Sequence, residues 1–406
     1  MDTKKVAVLG LGVEGKNAIK SLKKRGYRIY ASDKNRIDFK DEEVEVDLGK
    51  HDINKILSCD FVVISPSMWN TKLASLIKKK KKVICDVFNK HKSIYTIGVT
   101  GTNGKTTTSL MIYEILKNSK KNVLIGGNAG GGFEGYTELI LEANEGNYEY
   151  MVIEICDMTL DFVDDCFDLD MVVVTNIGED HLNYHKTLEN FRRKLKKFLK
   201  NKIAILNSKD PNLVKLAKEL DNYIFYDEYD VPLFGRFNKL NAGAAAAAAK
   251  FLGIDPKIIS HTLKNFKLPK GRLKHYNINN KHIIIGKTDN KTALEAVLNE
   301  MKFDAMFIGT PRRNEYWRFK ILDVAYKSSP KLIVLFPGLE DTVDMAKKRL
   351  EKLGFKNVVT VKTIDEIVKM FEFVLEKYEK IFIGGNGQKK INKIQDILEA
   401  KFVQYQ

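Results

Sequence analysis

A strand-sized apolar run that breaks into a glycine-rich arc and then into a helical pattern constrains this chain more than any other feature. Residues 94–99 are apolar and β-prone, Gly98-Val99-Thr100-Gly101-Thr102-Asn103-Gly104-Lys105-Thr106-Thr107-Thr108 follows, and a helical pattern continues through Leu116. Glycines let the backbone curve so that successive N–H groups converge on an anion at the start of the next helix. Lys105 would neutralise phosphate oxygens and the Thr106 hydroxyl would reach Mg²⁺, which makes ATP the expected ligand. The spacing is not a literal GxxxxGK[ST], because the residue five before Gly104 is Val99 and Gly98 lies one place earlier.

Strand and helix signals alternate through all 406 residues and group into three segments. Residues 1–93 hold strands at 5–9, 28–31 and 61–64, a helix at 16–24 and a short apolar run at 83–85. Residues 94–269 add strands at 123–125, 151–155, 171–175 and 203–206, and an Ala-rich helix around 244–249. Pro269 and Gly271 interrupt the helical pattern, and residues 270–406 alternate again, with strands at 282–285, 305–308, 332–336, 358–361 and 380–383. The expected fold is α/β in three domains: a Rossmann-like N-terminal domain, a P-loop-type central ATPase domain with a mostly parallel sheet, and a Rossmann-like C-terminal domain. In the first, Gly10-Leu11-Gly12-Val13-Glu14-Gly15 is a GxGxxG turn between strand and helix, with Asp33 after the next strand. Taken alone, that turn points to NAD or FAD.

Net charge narrows the partner class without selecting one. The chain carries 68 Lys and Arg against 52 Asp and Glu, a formal +16 that suits nucleic acid and equally a negatively charged small substrate. The lysine run at 78–82 has no interleaved aromatics and follows a helical segment, so it reads as a solvated helix end. Apolar stretches are strand-sized, far short of the roughly 20 residues a membrane span needs. Met1 leads directly into a strand, with no secretory-signal pattern. Cys59, Cys85, Cys156 and Cys166 lie in no CxxC or CxxxC spacing and suit a reducing compartment. A cytoplasmic protein without a membrane partner is expected, and no nucleic-acid partner is favoured.

Further motifs extend the phosphate loop into a family pattern. The complete GxTGTNGKTTT form resembles the Mur ligase superfamily, which includes bacterial cell-wall amino-acid ligases and folylpolyglutamate synthase, and the resemblance covers nearly the full chain. Gly127-Asn128-Ala129-Gly130 resembles the family's G-N-x-G loop. Thr175-Asn176-Ile177-Gly178-Glu179-Asp180-His181-Leu182-Asn183-Tyr184-His185 resembles its TNxxxDHLDxH segment, with Asn183 in place of the common Asp. Gly235-Arg236-Phe237-Asn238-Lys239-Leu240-Asn241-Ala242 resembles its G-x-F/H-N-x-x-N-A segment. Glu154 ends an apolar strand, where a carboxylate facing the phosphate loop is well placed to hold Mg²⁺. The resemblance implies that His181 ligates a second Mg²⁺, that Asp180 helps position the acyl phosphate and the incoming amine, that Asn238 contacts adenine, and that Arg272 approaches the ATP phosphates. Asn241 would cap or steady the Ala-rich helix. Many members bridge their metals with a carbamylated lysine, but gapless comparison from His181 puts Leu195 at that position, between Lys194 and Lys196, which read as a solvated helix face.

The C-terminal segment departs more. Gly286-Lys287-Thr288-Asp289-Asn290-Lys291 lies where cell-wall ligases carry DYAHNP or DSKATN; the leading Asp is absent and Lys287 matches the lysine of the second form. Arg312 and Arg313, together with Gly384-Gly385-Asn386-Gly387-Gln388, follow strand ends and are candidates for substrate binding. With the family in view, Gly10, Gly12, Gly15, Asp33 and Ser65 resemble the UDP-binding first domain of the ligases that add alanine or D-glutamate, and Asn128 joins the substrate residues. ATP would be held by Gly101, Thr102, Asn103, Gly104, Lys105, Thr106, Thr107, Asn238, Arg272 and Lys287, and Mg²⁺ by Thr106, Glu154 and His181. Lys105, Glu154, Asp180 and His181 would carry the chemistry. The implied enzyme is an ATP-dependent carboxylate-amine ligase that forms an acyl phosphate and joins a free L-amino acid to a UDP-linked peptide precursor, releasing ADP and phosphate. The short Lys/Ile/Asn-rich chain is similar to archaeal ligases of methanogens that build pseudomurein peptides. Two alternatives stay open: a folate or coenzyme polyglutamate-type ligase, and an RNA-stimulated regulatory ATPase.

Overall fold

The alternating pattern builds three sheets in the computed structural model, which describes residues 4–180 and 182–403. The first contains β1 (Lys5–Leu9), β2 (Arg28–Asp33), β3 (Val44–Leu48) and β4 (Phe61–Ile64) in the order β3-β2-β1-β4, all parallel. The second contains β5 (Tyr95–Thr100), β6 (Val123–Gly127), β7 (Tyr150–Glu154), β8 (Met171–Val174), β9 (Ile203–Asn207) and β10 (Tyr223–Tyr226) in the order β10-β9-β8-β5-β7-β6, again all parallel. The third contains β11 (Lys274–Ile278), β12 (Lys281–Ile285), β13 (Ala305–Gly309), β14 (Leu332–Phe336), β15 (Val358–Thr360) and β16 (Lys380–Gly385) in the order β11-β12-β16-β13-β14-β15. It is parallel except for the antiparallel β11–β12 pair.

The chain divides into two compact units. One comprises Met1–Ile177, Tyr184–Tyr229 and Leu240–Leu263, and the other Gly178–Asn183, Asp230–Lys239 and Lys264–Gln406. The first two sheets therefore share a unit. A continuous apolar core joins them, from Val6 and Val8 of β1 through Tyr136, Leu139 and Ile140 to Ile153 of β7. Side chains reinforce that join: the Arg25 guanidinium pairs with Glu138 at 2.9 Å, and Trp69 Nε1 donates to Asp165 Oδ2 at 2.6 Å. Cys85 and Cys166, far apart in sequence, bring their sulfurs to 2.6 Å in the same core. In the second unit the central strands are buried on both faces, with Ile283, Ile285 and Phe307 in one apolar cluster and Ile284, Met306 and Ile308 in the other.

Three strands lie outside the segments expected from the sequence: β3 (VEVDL), β10 (YIFY, three of its four residues exposed) and β11 (KHYNI). Each is an edge strand, paired on one side only; β3 and β11 are mixed in polarity and lack the apolar run of a strand covered on both faces, whereas β10 is a four-residue aromatic-rich run with its first three residues exposed. The apolar run at 83–85 contributes a single bridge, from Val83 to Val62, and then turns into the short helix Ile84–Val87, whose Asp86 carboxylate accepts from the Val83 amide at 3.4 Å. Among the described residues no helix is long and apolar enough to cross a membrane.

Candidate active site

In the second sheet the chain leaves β5 toward β6 and leaves β8 toward β9, on the opposite side, so the carboxyl ends of β5 and β8 frame a crevice. The phosphate loop lies there. Gly104 has φ +88°, and an added Cβ would fall 2.3 Å from Asn241 Oδ1, so only glycine fits before Lys105 opens the helix Lys105–Asn118. Asn241 thus packs on the loop from inside its own helix, Arg236–Phe251, and does not cap it. The end of β8 pins the arc: Thr102 N donates to Asn176 O at 3.0 Å, Thr175 Oγ1 to Asn103 O at 2.6 Å, and Asn103 N to Asn176 Oδ1 at 3.0 Å. Lys105 Nζ donates to Gly101 O at 2.7 Å and to Thr102 O at 2.9 Å, which holds the ammonium over the arc. Thr102 and Thr107 are buried.

Glu154 closes β7 beside this loop and is buried. Its Oε2 accepts from the Thr106 hydroxyl and its Oε1 from Asn128 Nδ2 at 2.8 Å. A hydroxyl and a carboxamide satisfy lone pairs without adding positive charge, and a buried carboxylate calls for a compensating cation. Hard oxygen donors of this kind are what Mg²⁺ takes, so Thr106 and Glu154 fit the ion. The expected third ligand, His181, lies outside the described residues, and among those described no three His, Cys, Asp or Glu side chains are grouped so as to hold a metal ion. His185, the second histidine of that motif, is buried and directs Nε2 to Asp157 Oδ2 at 2.7 Å. Leu195 lies in the core, Lys196 pairs with Glu219 at 2.9 Å, and Lys194 Nζ sits 4.0 Å from the centre of the Tyr184 ring.

The turn at 10–15 is braced by the residues expected to bind substrate. Ser65 Oγ donates to Gly10 O at 2.7 Å, Asp33 Oδ2 accepts from Leu11 N at 2.8 Å, and Gly15 packs against the Gly10 carbonyl. Gly12 is exposed at its rim. Sequence reasoning gave no role to Glu14. Its half-buried carboxylate accepts from the amides of Ala129 at 2.7 Å and Tyr136 at 3.3 Å. Burial pushes the Glu14 carboxyl up to about 7, against the lowering effect of those two amides.

The second unit gathers Asp180, Lys287, Asp289 and Arg318. Buried Arg318 donates from Nε and NH2 to Asp180 at 3.2 and 3.0 Å, pairs through NH1 with Asp289 at 3.2 Å, and lies 3.4 Å from Glu315. Lys287 pairs with Asp289 at 3.0 Å. Burial alone would raise the Asp289 carboxyl, but the charges of Lys287 and Arg318 outweigh it and hold the group well below the usual carboxylate range. Trp317 Nε1 also donates to Asp180, at 3.3 Å. Arg318 and Trp317 sit in no motif, so nothing in the sequence marks them. Asn238 donates to Phe234 O at 2.8 Å, and Arg272 occupies the turn ahead of β11. Arg312 and Arg313 are exposed, whereas Thr310 Oγ1 and Asn386 Nδ2, just past β13 and β16, are buried without hydrogen-bond partners.

Comparison with known proteins follows the same lines. Residues 99–227 match the Mur ligase middle domain. The UDP-N-acetylmuramoylalanine--D-glutamate ligase of Staphylococcus saprophyticus is 25% identical over 430 aligned positions, covering 95% of this chain and 92% of that protein. In three dimensions the chain is similar to a pseudomurein peptide ligase type C from Methanothermus fervidus (TM-score 0.61, 22% identity, 98% of this chain and 100% of that one). It also resembles Mycobacterium tuberculosis folylpolyglutamate synthase (TM-score 0.61, 12% identity, 77% and 93%), a likeness of fold. The phosphate loop, the matched middle domain and relatives aligned along almost the whole chain make this protein a member of the Mur ligase superfamily, a family of ATP-dependent amide-bond ligases.

Proposed function

We propose that this ligase adds a free L-amino acid to a UDP-linked peptide precursor of pseudomurein, in the cytoplasm, through an acyl phosphate. The observation that carries the reading is the junction at the phosphate loop, where the Thr106 hydroxyl and the Asn128 carboxamide converge on the buried Glu154 carboxylate. Residues 101–107 would bind the ATP phosphates through loop amides and the Lys105 ammonium, which is held within 2.9 Å of the loop's own carbonyls and so needs little reorganisation to meet phosphate oxygens. Thr106 and Glu154 would hold Mg²⁺, with His181 as the family's further ligand. Magnesium bound there would offset the charge that gathers on the transferred phosphoryl group.

The acceptor's carboxylate attacks the γ-phosphoryl group and gives the acyl phosphate and ADP; the amino acid's amine then attacks the carbonyl carbon and phosphate departs. Residues 1–93 would bind the UDP-linked acceptor at the 10–15 turn, 94–269 the nucleotide, and 270–406 the amino acid. The buried, unpartnered Thr310 hydroxyl and Asn386 amide offer hydrogen bonds to an amino-acid carboxylate beside the cationic Arg312 and Arg313. Asp180, tied to Arg318, would orient the incoming amine.

The test is mass spectrometry of products formed from UDP-linked peptides, ATP, Mg²⁺ and a panel of L-amino acids. A new amide formed with one ADP released per bond is expected. ADP release stimulated by RNA, with no amide product, would overturn the proposal.

A further inference from the structure

Two glycine-rich turns of the first unit, at 10–15 and 127–132, are joined by one carboxylate. Glu14 lies in the first turn of the helix Val13–Lys23, and it accepts from Ala129 N at 2.7 Å and from Tyr136 N at 3.3 Å. Ala129 opens the single turn Ala129–Gly131, and Tyr136 opens the helix Tyr136–Glu145. The carboxylate thus caps two amides, each the first of its helix and without a partner inside it. Asn128 carries the contact onward. Its amide donates to Glu154 O at 2.9 Å, and its Nδ2 donates to Glu154 Oε1 at 2.8 Å. The loop has no slack here, since a Cβ on Gly131 would stand 1.8 Å from Glu154 Oε1. Glu154 Oε2 then takes the Thr106 hydroxyl. Hydrogen bonds and the Asn128–Ala129 peptide link therefore connect the 10–15 turn to the start of the phosphate-loop helix.

We infer that Glu14 is a positioning residue that fixes the 128–131 loop against Glu154 and so sets the carboxylate that receives the nucleotide's divalent cation. The inference rests on the reading of Thr106 and Glu154 as that cation's ligands. Outer partners that orient a ligating carboxylate typically change metal affinity about 10- to 100-fold when removed. A Glu14 that served architecture alone would lower stability and leave cation dependence untouched.

The test is the affinity of the full chain for a fluorescent N-methylanthraniloyl-ADP, measured in Mg²⁺ and again in EDTA, for wild type, E154Q, E14Q and E14A, with thermal melts alongside. Wild type should bind more tightly in Mg²⁺ and E154Q should lose that difference. E14A should cut the Mg²⁺-dependent tightening by about tenfold with affinity in EDTA unchanged. E14Q should fall between, because its carbonyl still accepts from Ala129 N while its NH₂ meets the Tyr136 N–H. E14Q also decides the matter should E14A fail to fold. Retained Mg²⁺ dependence in E154Q overturns the ligand reading and the inference with it. Retained dependence in E14Q and E14A, with E154Q defective, overturns the inference alone, even if both melt at lower temperature.

Discussion

The carboxyl edges of the second and third sheets handle charge in opposite ways. At the second, the buried Glu154 carboxylate meets a hydroxyl and a carboxamide, and the Lys105 ammonium meets carbonyl oxygens. At the third, Arg318 and Lys287 are already matched by Asp180, Asp289 and Glu315. Charges that face only neutral groups remain available to a ligand of opposite sign, whereas charges that have found each other brace the structure. One edge leaves its charges open to ligands of opposite sign, and the other holds an ion cluster that keeps Asp180 in place.

Breaking the brace should give the largest effect on the folded state. Arg318→Met leaves the buried Asp180 without its guanidinium and the partly buried Asp289 with Lys287 alone, and is expected to cost about 3–5 kcal/mol in denaturant unfolding of the full chain. Wild-type stability in that variant would erase the contrast. The phosphate loop should respond in the other currency: Lys105→Ala is expected to lower amide formation by about 10²–10³-fold, some 2.7–4 kcal/mol of transition-state stabilisation. Its melting temperature should stay near that of wild type, because the lost bonds are to carbonyls of a loop that Thr175 and Asn176 already pin. An equal rate would remove Lys105 from the chemistry.

The same contrast decides what could be read in advance. The phosphate loop is a local motif between a strand and a helix, so its placement at the end of β5 follows from residues 94–116 alone. Glu154 was legible because it ends an apolar strand. The Arg318 cluster is assembled from residues around 180, 289 and 318, distant in sequence and joined only by folding, and no spacing rule reaches across such gaps. Glu14 was hidden differently: it stands inside a recognised GxGxxG turn, where the glycines draw attention and the side chain between them does not. Its partners, Ala129 and Tyr136, are backbone amides, which no residue identity announces.

Glu14 also sharpens the comparison through pH. Its folded-state carboxyl lies near 7, above the ordinary 4.5, mainly through burial. The folded protein therefore holds the proton more tightly than the unfolded chain. The resulting destabilisation is absent below the unfolded value, grows as pH rises from about 4.5 to 7, and is complete above that. Because Glu14 keeps partial contact with water, screening reduces the effect to roughly 2 kcal/mol. Glu14→Gln cannot ionise, so its stability relative to wild type should improve between pH 5 and pH 8 in melts run in EDTA. A pH-independent difference would show that the group titrates normally.

The smallest expected effect concerns the helix Leu188–Leu199, which carries Leu195 where a carbamylated lysine would stand by gapless comparison. Leu195 is fully buried in the apolar core and carries no amine to carbamylate. A one-residue shift in either direction gives Lys194, whose ammonium lies over the Tyr184 ring, or Lys196, which is exposed and paired with Glu219. Exposed ion pairs are worth about 0–1 kcal/mol. Lys196→Ala should therefore change stability by less than about 1 kcal/mol and amide formation by less than about twofold. Carbamylation would predict otherwise: a lysine that bridged metal ions would make this substitution as damaging as Lys105→Ala, with activity partly restored by a short-chain carboxylate supplied in solution. Measuring Lys196→Ala beside Lys105→Ala in one assay thus separates a helix face that merely meets water from a residue that belongs to the phosphate edge.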